Sequence, residues 1–221
     1  GRTSNLILGL CSLCRDFSCR LEKPGSSFGP MGTEAGGYTF DVLILGGGFA
    51  GVAAAQVLGR HARRHPDFRV GLIAAENHMV FQPMLAEVAG GSLSPRHVVN
   101  PLRQLCKGVT VFKGLVTSIN AVSREVHLSA GDFTPDVTVS AREMVVALGA
   151  VIDLSRVPGM TEHALLMQNA GDAMKLRATI IGRFEEANLV ADVKIRRRLL
   201  TFVVVGGGYS GVETAGEIFD L

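Results

Sequence analysis

Phe40-Asp41-Val42-Leu43-Ile44-Leu45-Gly46-Gly47-Gly48-Phe49-Ala50-Gly51 decides the fold. Phe40 to Leu45 is a short apolar run that enters a glycine turn, the pattern of a buried strand. From Phe49 to Arg64 the chain is Ala-rich and predicts a helix, which Pro66 ends. Phe68 to Ala74 predicts a second buried strand. Strand, glycine turn, helix, strand is a βαβ unit, and continuously apolar strands imply a parallel sheet with helices on both faces. The glycines fall as Gly46-x-Gly48-x-x-Gly51. In that context the first glycine permits the tight turn, the second lets backbone approach a pyrophosphate, and the third lets helix pack on strand. The helix N-terminus then offers N–H groups to phosphates. An acid that would hold ribose hydroxyls is expected where the second strand ends. Ala74 stands there, and Glu76, two residues on, is the nearest candidate; an exposed loop acid is the alternative.

Downstream, Gln82-Pro83 opens a short helical region, and a second helix is predicted over His97 to Leu105. Strands Val109–Phe112, Leu115–Ile119, Glu125–Leu128 and Val137–Val139, split by turns at Asn120–Ser123 and Gly131–Pro135, predict an antiparallel meander inserted into the sheet. Met144 to Leu148 returns as an apolar strand closed by Gly149. Asn169 to Ala191 predicts a long helix capped by Asn169 with Asp172, and Ala173, Leu176, Ile180, Phe184 and Ala187 form its apolar stripe. Thr201 to Val205 predicts a strand entering a second fingerprint, Gly206-x-Gly208-x-x-Gly211, before another helix. The fold expected is therefore α/β: a Rossmann-like domain with an inserted β-meander over 38–160, then the start of a second Rossmann domain over 161–221. Residues 1–37, rich in Ser, Gly and Arg, read as a tail or targeting segment, or as extra residues before a start at Met31. A βαβ unit takes roughly 30 residues, so the second unit is expected to be incomplete in this chain, and half a Rossmann unit would expose apolar edges.

Composition narrows the classes. Of 221 residues 47% are hydrophobic and 19% charged, enough to build a core, and much of the excess among its 27 glycines sits in two clusters, around Gly46 and Gly206. A net charge of +2 is too small to argue for nucleic-acid binding, none is expected, and Lys194 with Arg196, Arg197 and Arg198 reads as a solvated connector and not as a phosphate-binding patch. No apolar run approaches the roughly 20 residues of a membrane span. Cys11, Cys14 and Cys19 lack a fourth ligand at matching spacing, so no metal site is expected; Cys106 reads as a small core residue. His61 and His65, four apart on one helix, lack a carboxylate partner and read as solvated helix-end residues.

Two fingerprints 160 residues apart suggest a relay between two dinucleotides, a flavin and a nicotinamide. At this point the sequence resembles the two-dinucleotide flavoproteins, and among them type II NADH:quinone oxidoreductases. Glu76-Asn77-His78-Met79-Val80-Phe81-Gln82-Pro83-Met84-Leu85 with Glu87-Val88-Ala89-Gly90-Gly91 resembles that family's loop after the second strand. Val145 to Ala150 resembles its strand and turn that close on the flavin, and Arg197 to Gly208 with Gly211-Val212-Glu213 and Ala215-Gly216-Glu217 resembles the entry to its NAD domain. The resemblance implies FAD and NAD(P)H as cofactors. It implies that Gly46, Gly48, Phe49, Ala50, Gly51 and Glu76 bind FAD, that Gln82 and Pro83 lie near its isoalloxazine or its adenosine side, that Gly149 closes on the flavin, and that Gly206, Gly208, Tyr209, Ser210 and Gly211 face NAD(P)H. Glu213 would face the nicotinamide as the candidate catalytic residue, or serve as an acid favoured by the helix dipole. Partners implied are a quinone acceptor, a membrane surface reached through a segment outside this chain, and a second copy in a homodimer, on the cytoplasmic or mitochondrial face. Ferredoxin reductase-like, sulfide:quinone and apoptosis-inducing-factor-like flavoproteins stay open, as does an inactive nucleotide-binding fragment. A disulfide reductase falls, because Cys106 is the single cysteine between Gly51 and Gly206.

Overall fold

The computed structural model describes residues 7–8, 37–129, 131–132 and 136–221. The readings made of the tail and its three cysteines lie outside the described residues. The chain forms two compact units, Gly1–Met79 with Pro101–Ala150, and Val80–Asn100 with Val151–Leu221.

In chain order the strands are β1 (Ile7–Leu8), β2 (Gly37–Leu45), β3 (Val70–Ala74), β4 (His78–Val80), β5 (Val99–Pro101), β6 (Thr110–Lys113), β7 (Leu115–Asn120), β8 (Glu125–Ser129) and β9 (Val137–Val146). The helices are α1 (Phe49–Ala62), α2 (Leu85–Gly90), α3 (Pro95–Val98), α4 (Leu102–Leu105), α5 (Met160–His163), α6 (Ala170–Leu189), α7 (Val193–Leu199) and α8 (Tyr209–Asp220).

The first unit is built on one sheet in the order β6-β3-β2-β9-β8-β7, with β1 also beside β9. β6, β3, β2 and β9 run parallel; β8 and β7 follow antiparallel. Alternate residues of β2 explain why its inner half, Val42–Leu45, is continuously apolar. Val42 and Ile44 join one core with Val52 and Ala55 of α1, Leu72, Leu102 and Cys106. Leu43 and Leu45 join the opposite core with Ile73, Val126, Leu128, Val139 and Met144. Both faces are covered, so neither parity can be polar. Each such Leu or Ile stabilises by about 1.5–3 kcal/mol on burial.

Three expectations change here. The strand expected over Val109–Phe112 does not join the meander: it forms β6, which pairs parallel with β3, so the antiparallel ladder is β7-β8-β9 alone. Val137–Val139 and Met144–Val146 are not separate strands but parts of β9, with Ala147 and Leu148 beyond its end; β9 pairs antiparallel with β8 through residues 137–140 and parallel with β2 from Gly37 to Leu45. One strand closes the meander and extends the parallel sheet. The helix expected over His97–Leu105 is broken into α3 and α4, because Pro101 has no N–H to donate and pushes Asn100 to extended backbone. The meander turn stands as expected, with Asn120 Oδ1 accepting from the amides of Val122 and Ser123 at 3.0 Å each.

In the second unit α2 and α6 share a core of Leu85, Val88, Ala89, Val98 and Ala173. The expected cap on α6 is present: Asn169 Oδ1 accepts from the amide of Asp172 at 2.9 Å, and the Asp172 carboxylate accepts from the amides of Gln168 and Asn169. Ala173, Ile180 and Ala187 are buried and Leu176 and Phe184 half-buried, so the stripe also holds. The basic connector takes helical form as α7, started by Asp192, whose side chain accepts from the amides of Lys194 and Ile195.

Thr201–Val205 departs from expectation. It forms no ladder within the described residues, and Val203 and Val205 are 81% and 63% exposed. A strand exists through its neighbour's hydrogen bonds, and an apolar sequence without that neighbour stays extended but unpaired.

Candidate functional site: two glycine loops

The first loop sits where β2 ends. Gly46 has φ +113°, a conformation that costs glycine nothing, and its amide donates to Ile73 O at 2.8 Å. The amide of Ala147 donates to Leu45 O at 2.8 Å, which brings the end of β9 against the loop. A Cβ at Gly46 would fall on Ala147 O and one at Gly51 on Gly46 O, both far inside contact distance. A Cβ at Gly48 would meet nothing within 4 Å. The three fingerprint glycines therefore divide as the spacing implies: two are required by the protein's own packing, one leaves space for a ligand. The helix α1 opens with the amide of Val52 donating to Gly48 O at 2.9 Å, and its first turn carries no acid, so the N–H groups ahead of Val52 are left for a ligand, as at any helix start. Phe49 and Ala50 are exposed there. The cradle fits a dinucleotide pyrophosphate.

Gly47, read from sequence as a spacer, has a packing role. A Cβ there would lie 2.8 Å from Leu102 Cδ1 and 2.9 Å from Ala74 Cβ. No local sequence signal marks it, because Leu102 is 55 residues away. Ala74 is buried at the end of β3, and Glu76 is exposed in the bend beyond it. Gly149, with φ +77°, is exposed after β9.

The second unit holds the remaining candidates. Gln82 and Pro83 lie in a single 3-10 turn, Gln82–Met84, and the Gln82 side-chain amide donates to Gln168 O at 3.0 Å. The second loop repeats the first. Gly206 has φ +115°, a Cβ at Gly211 would fall on Gly206 O, Gly208 is open, and Val212 N donates to Gly208 O at 3.1 Å. Gly208 and Gly48 cap their helices with nearly the same dihedrals, φ −76° ψ 177° and φ −81° ψ −168°. Tyr209, Ser210 and Glu213 are exposed on the first turns of α8. Glu213 is the fifth residue of that helix, beyond its first turn, which weakens the dipole reading of its place.

Away from the loops, Cys106 is buried as expected, and burial pushes its thiol pKa above the ordinary 9.0. His61 and His65 stack with ring centroids 4.2 Å apart, and Phe68 meets His61 edge-on. Among the described residues no group of three or more His, Cys, Asp or Glu could hold a metal ion, and no helix is long and apolar enough to cross a membrane.

Comparison with known proteins agrees with this geometry. The chain is 30% identical over 188 residues to the mitochondrial external alternative NAD(P)H-ubiquinone oxidoreductase B4 of Arabidopsis thaliana, covering 81% of this chain and 31% of that protein. It is 36% identical over 183 residues to the type II NADH:quinone oxidoreductase Ndh of Mycobacterium tuberculosis, covering 81% of this chain and 38% of that one. The solved NDH2 of Plasmodium falciparum in complex with NADH shares the fold, with a TM-score of 0.70 at 21% identity over 80% of this chain and 36% of its own. The chain thus spans about a third of the length of the relatives it matches. The profile of the pyridine nucleotide-disulphide oxidoreductase family matches residues 40–221, taking in both glycine loops, and the chain belongs to that family.

Proposed function

We propose that this chain supplies the flavin-binding segment, over 38–160, and the opening of the nicotinamide-binding domain, over 161–221, of an enzyme that carries electrons from NAD(P)H through FAD to a quinone. The observation that carries the reading is the repetition of one pyrophosphate cradle: Gly46 and Gly206 share a left-handed φ near +114°, and each lies under a glycine that admits no side chain. One such loop fits many nucleotide-binding proteins; two in one chain fit a relay. The names of the relatives in Arabidopsis and Mycobacterium support the same donor and acceptor.

In this reading Gly46, Gly48, Phe49, Ala50 and Gly51 hold the FAD pyrophosphate with backbone N–H groups, and Glu76 takes the ribose in place of an acid at Ala74. Gln82, Pro83 and Gly149 border the flavin. Gly206, Gly208, Tyr209, Ser210 and Gly211 hold NAD(P)H, and Glu213 orients it. Bound FAD supplies the two-electron chemistry, so the protein's own task is binding, alignment and exclusion of water, and no side chain need transfer a proton for hydride acceptance. The acceptor being lipid-soluble, the enzyme works at a membrane surface as a peripheral protein.

The test is steady-state turnover of the full-length purified protein with NADH, NADPH or sulfide offered in turn as donor, and a short-chain ubiquinone or ferricyanide as acceptor. Quinone-dependent turnover with a flavin spectrum supports the proposal. Flavin without nicotinamide oxidation, or sulfide as the donor, overturns it.

A further inference from the structure

α8 carries the second glycine loop at its front, yet its last turn holds Glu217 and Asp220. Acids there face the negative end of the helix dipole, so helix electrostatics do not explain Glu217. Its partner does. Ser92 Oγ donates to the Glu217 carboxylate, 3.2 Å from Oε2 and 3.3 Å from Oε1, and lies 3.2 Å from Glu87 O.

The turn that bears Ser92 is tightly specified. α2 ends at Gly90, and Gly91 caps it with φ +86°, its amide donating to Glu87 O at 2.8 Å. Arg177 of α6 donates to Gly90 O at 2.5 Å. A Cβ at Gly90 would strike the Glu217 carboxylate, and one at Gly91 the Arg177 guanidinium. Two adjacent glycines are therefore needed for two different neighbours, one on α6 and one on α8. On the loop side α8 has another tie, Thr214, whose hydroxyl donates to Ser210 O at 2.6 Å and lies 3.8 Å from Met167 Sδ. Beyond Thr214 the front of the helix is exposed, and Gly206, Gly207 and Gly208 meet nothing within 4 Å.

We propose that Ser92 and Glu217 are positioning residues for the nicotinamide-nucleotide loop: by pinning the rear of α8 to the Gly90–Ser92 turn, they fix where its N-terminal amides point. A 12-residue helix is stiff, so a hold at its rear sets the direction of its front. The claim rests on the reading of the second loop as a nicotinamide-nucleotide site.

The experiment compares Ser92→Ala and Glu217→Ala with Ser92→Thr in the full-length flavoprotein. Two readouts are taken: amide hydrogen exchange across residues 206–215, and KM and kcat for the nicotinamide nucleotide. Ser92→Ala and Glu217→Ala are expected to speed exchange in 206–215 and raise the nucleotide KM roughly fivefold, with kcat and flavin content held. Ser92→Thr, which keeps the hydroxyl, is expected to stay near the parent. Unchanged exchange and KM in both alanine variants overturn the proposal. So does protection lost across the whole unit together with flavin, which would make the contact merely structural. Should the parent protein fail to oxidise either nucleotide, the proposed function falls, while the exchange comparison still decides whether this contact holds the loop.

Discussion

Adjacent glycines in the first loop are expected to fail in different ways. At Gly47 an alanine Cβ would come to 2.8 Å from Leu102 Cδ1 and 2.9 Å from Ala74 Cβ, about 0.5 Å inside the 3.4 Å at which ordinary contacts begin. Leu102 is fully buried and Ala74 sits on a central strand, so neither can step aside without moving the core. Overpacking of this kind costs about 1–3 kcal/mol. At Gly48 the same substitution meets nothing and keeps an extended backbone that alanine adopts freely. Gly48→Ala is therefore expected to leave the flavin-free protein as stable as the parent and to weaken FAD binding tenfold or more, about 1.4 kcal/mol, because the methyl group occupies the approach of the pyrophosphate. Gly47→Ala is expected to lower stability by roughly 2 kcal/mol with or without FAD. Urea unfolding followed by circular dichroism, with and without added FAD, separates the two effects. If Gly47→Ala unfolds with the parent, the packing argument is wrong. If Gly48→Ala binds FAD as the parent does, this loop is not the pyrophosphate seat.

Three further outcomes concern stability. Removing the α6 cap by Asn169→Ala gives up the 2.9 Å bond to the Asp172 amide and should cost about 1 kcal/mol, read as a lower urea midpoint at unchanged slope. Leu43→Ala, which opens a fully buried site between β2 and the second core, should cost about 2–5 kcal/mol in the same assay. Because burial raises the folded pKa of Cys106 above 9.0, the unfolded chain ionises first; that stabilising contribution is whole below pH 9 and fades as pH rises toward the folded value. A Cys106→Ala variant should lose less stability than the parent between pH 9 and 10.5, and an equal loss in both would show that the thiol has no part in it.

The sequence made local features legible wherever the reason for them is local. The spacing of each glycine loop, the Asn169 cap and the Asn120 turn each involve residues within about two helical turns of one another, the strands and helix of the βαβ start each show in their own contiguous stretch, and each stands where the pattern put it. What sequence did not reveal depends on partners far along the chain. β9 reads as two strands because its middle, Ser140 to Glu143, looks polar; pairing with β2 keeps it extended throughout. Thr201–Val205 has the composition of a strand and lacks a neighbour among the described residues. Gly47 against Leu102, and Ser92 against Glu217 at 125 residues' separation, leave no periodic trace at all. The candidate site follows the same division: its glycines could be read, whereas the side chains that hold its helices in place could not.

An electron relay requires that one protein pass electrons between two bound dinucleotides. The direct measurement is an anaerobic titration of the full-length flavoprotein with NADH, followed by addition of quinone. In a relay the visible flavin absorbance bleaches stoichiometrically and returns when quinone is added. Absorbance that stays unchanged under excess NADH and NADPH, in protein that holds its flavin, would contradict the relay.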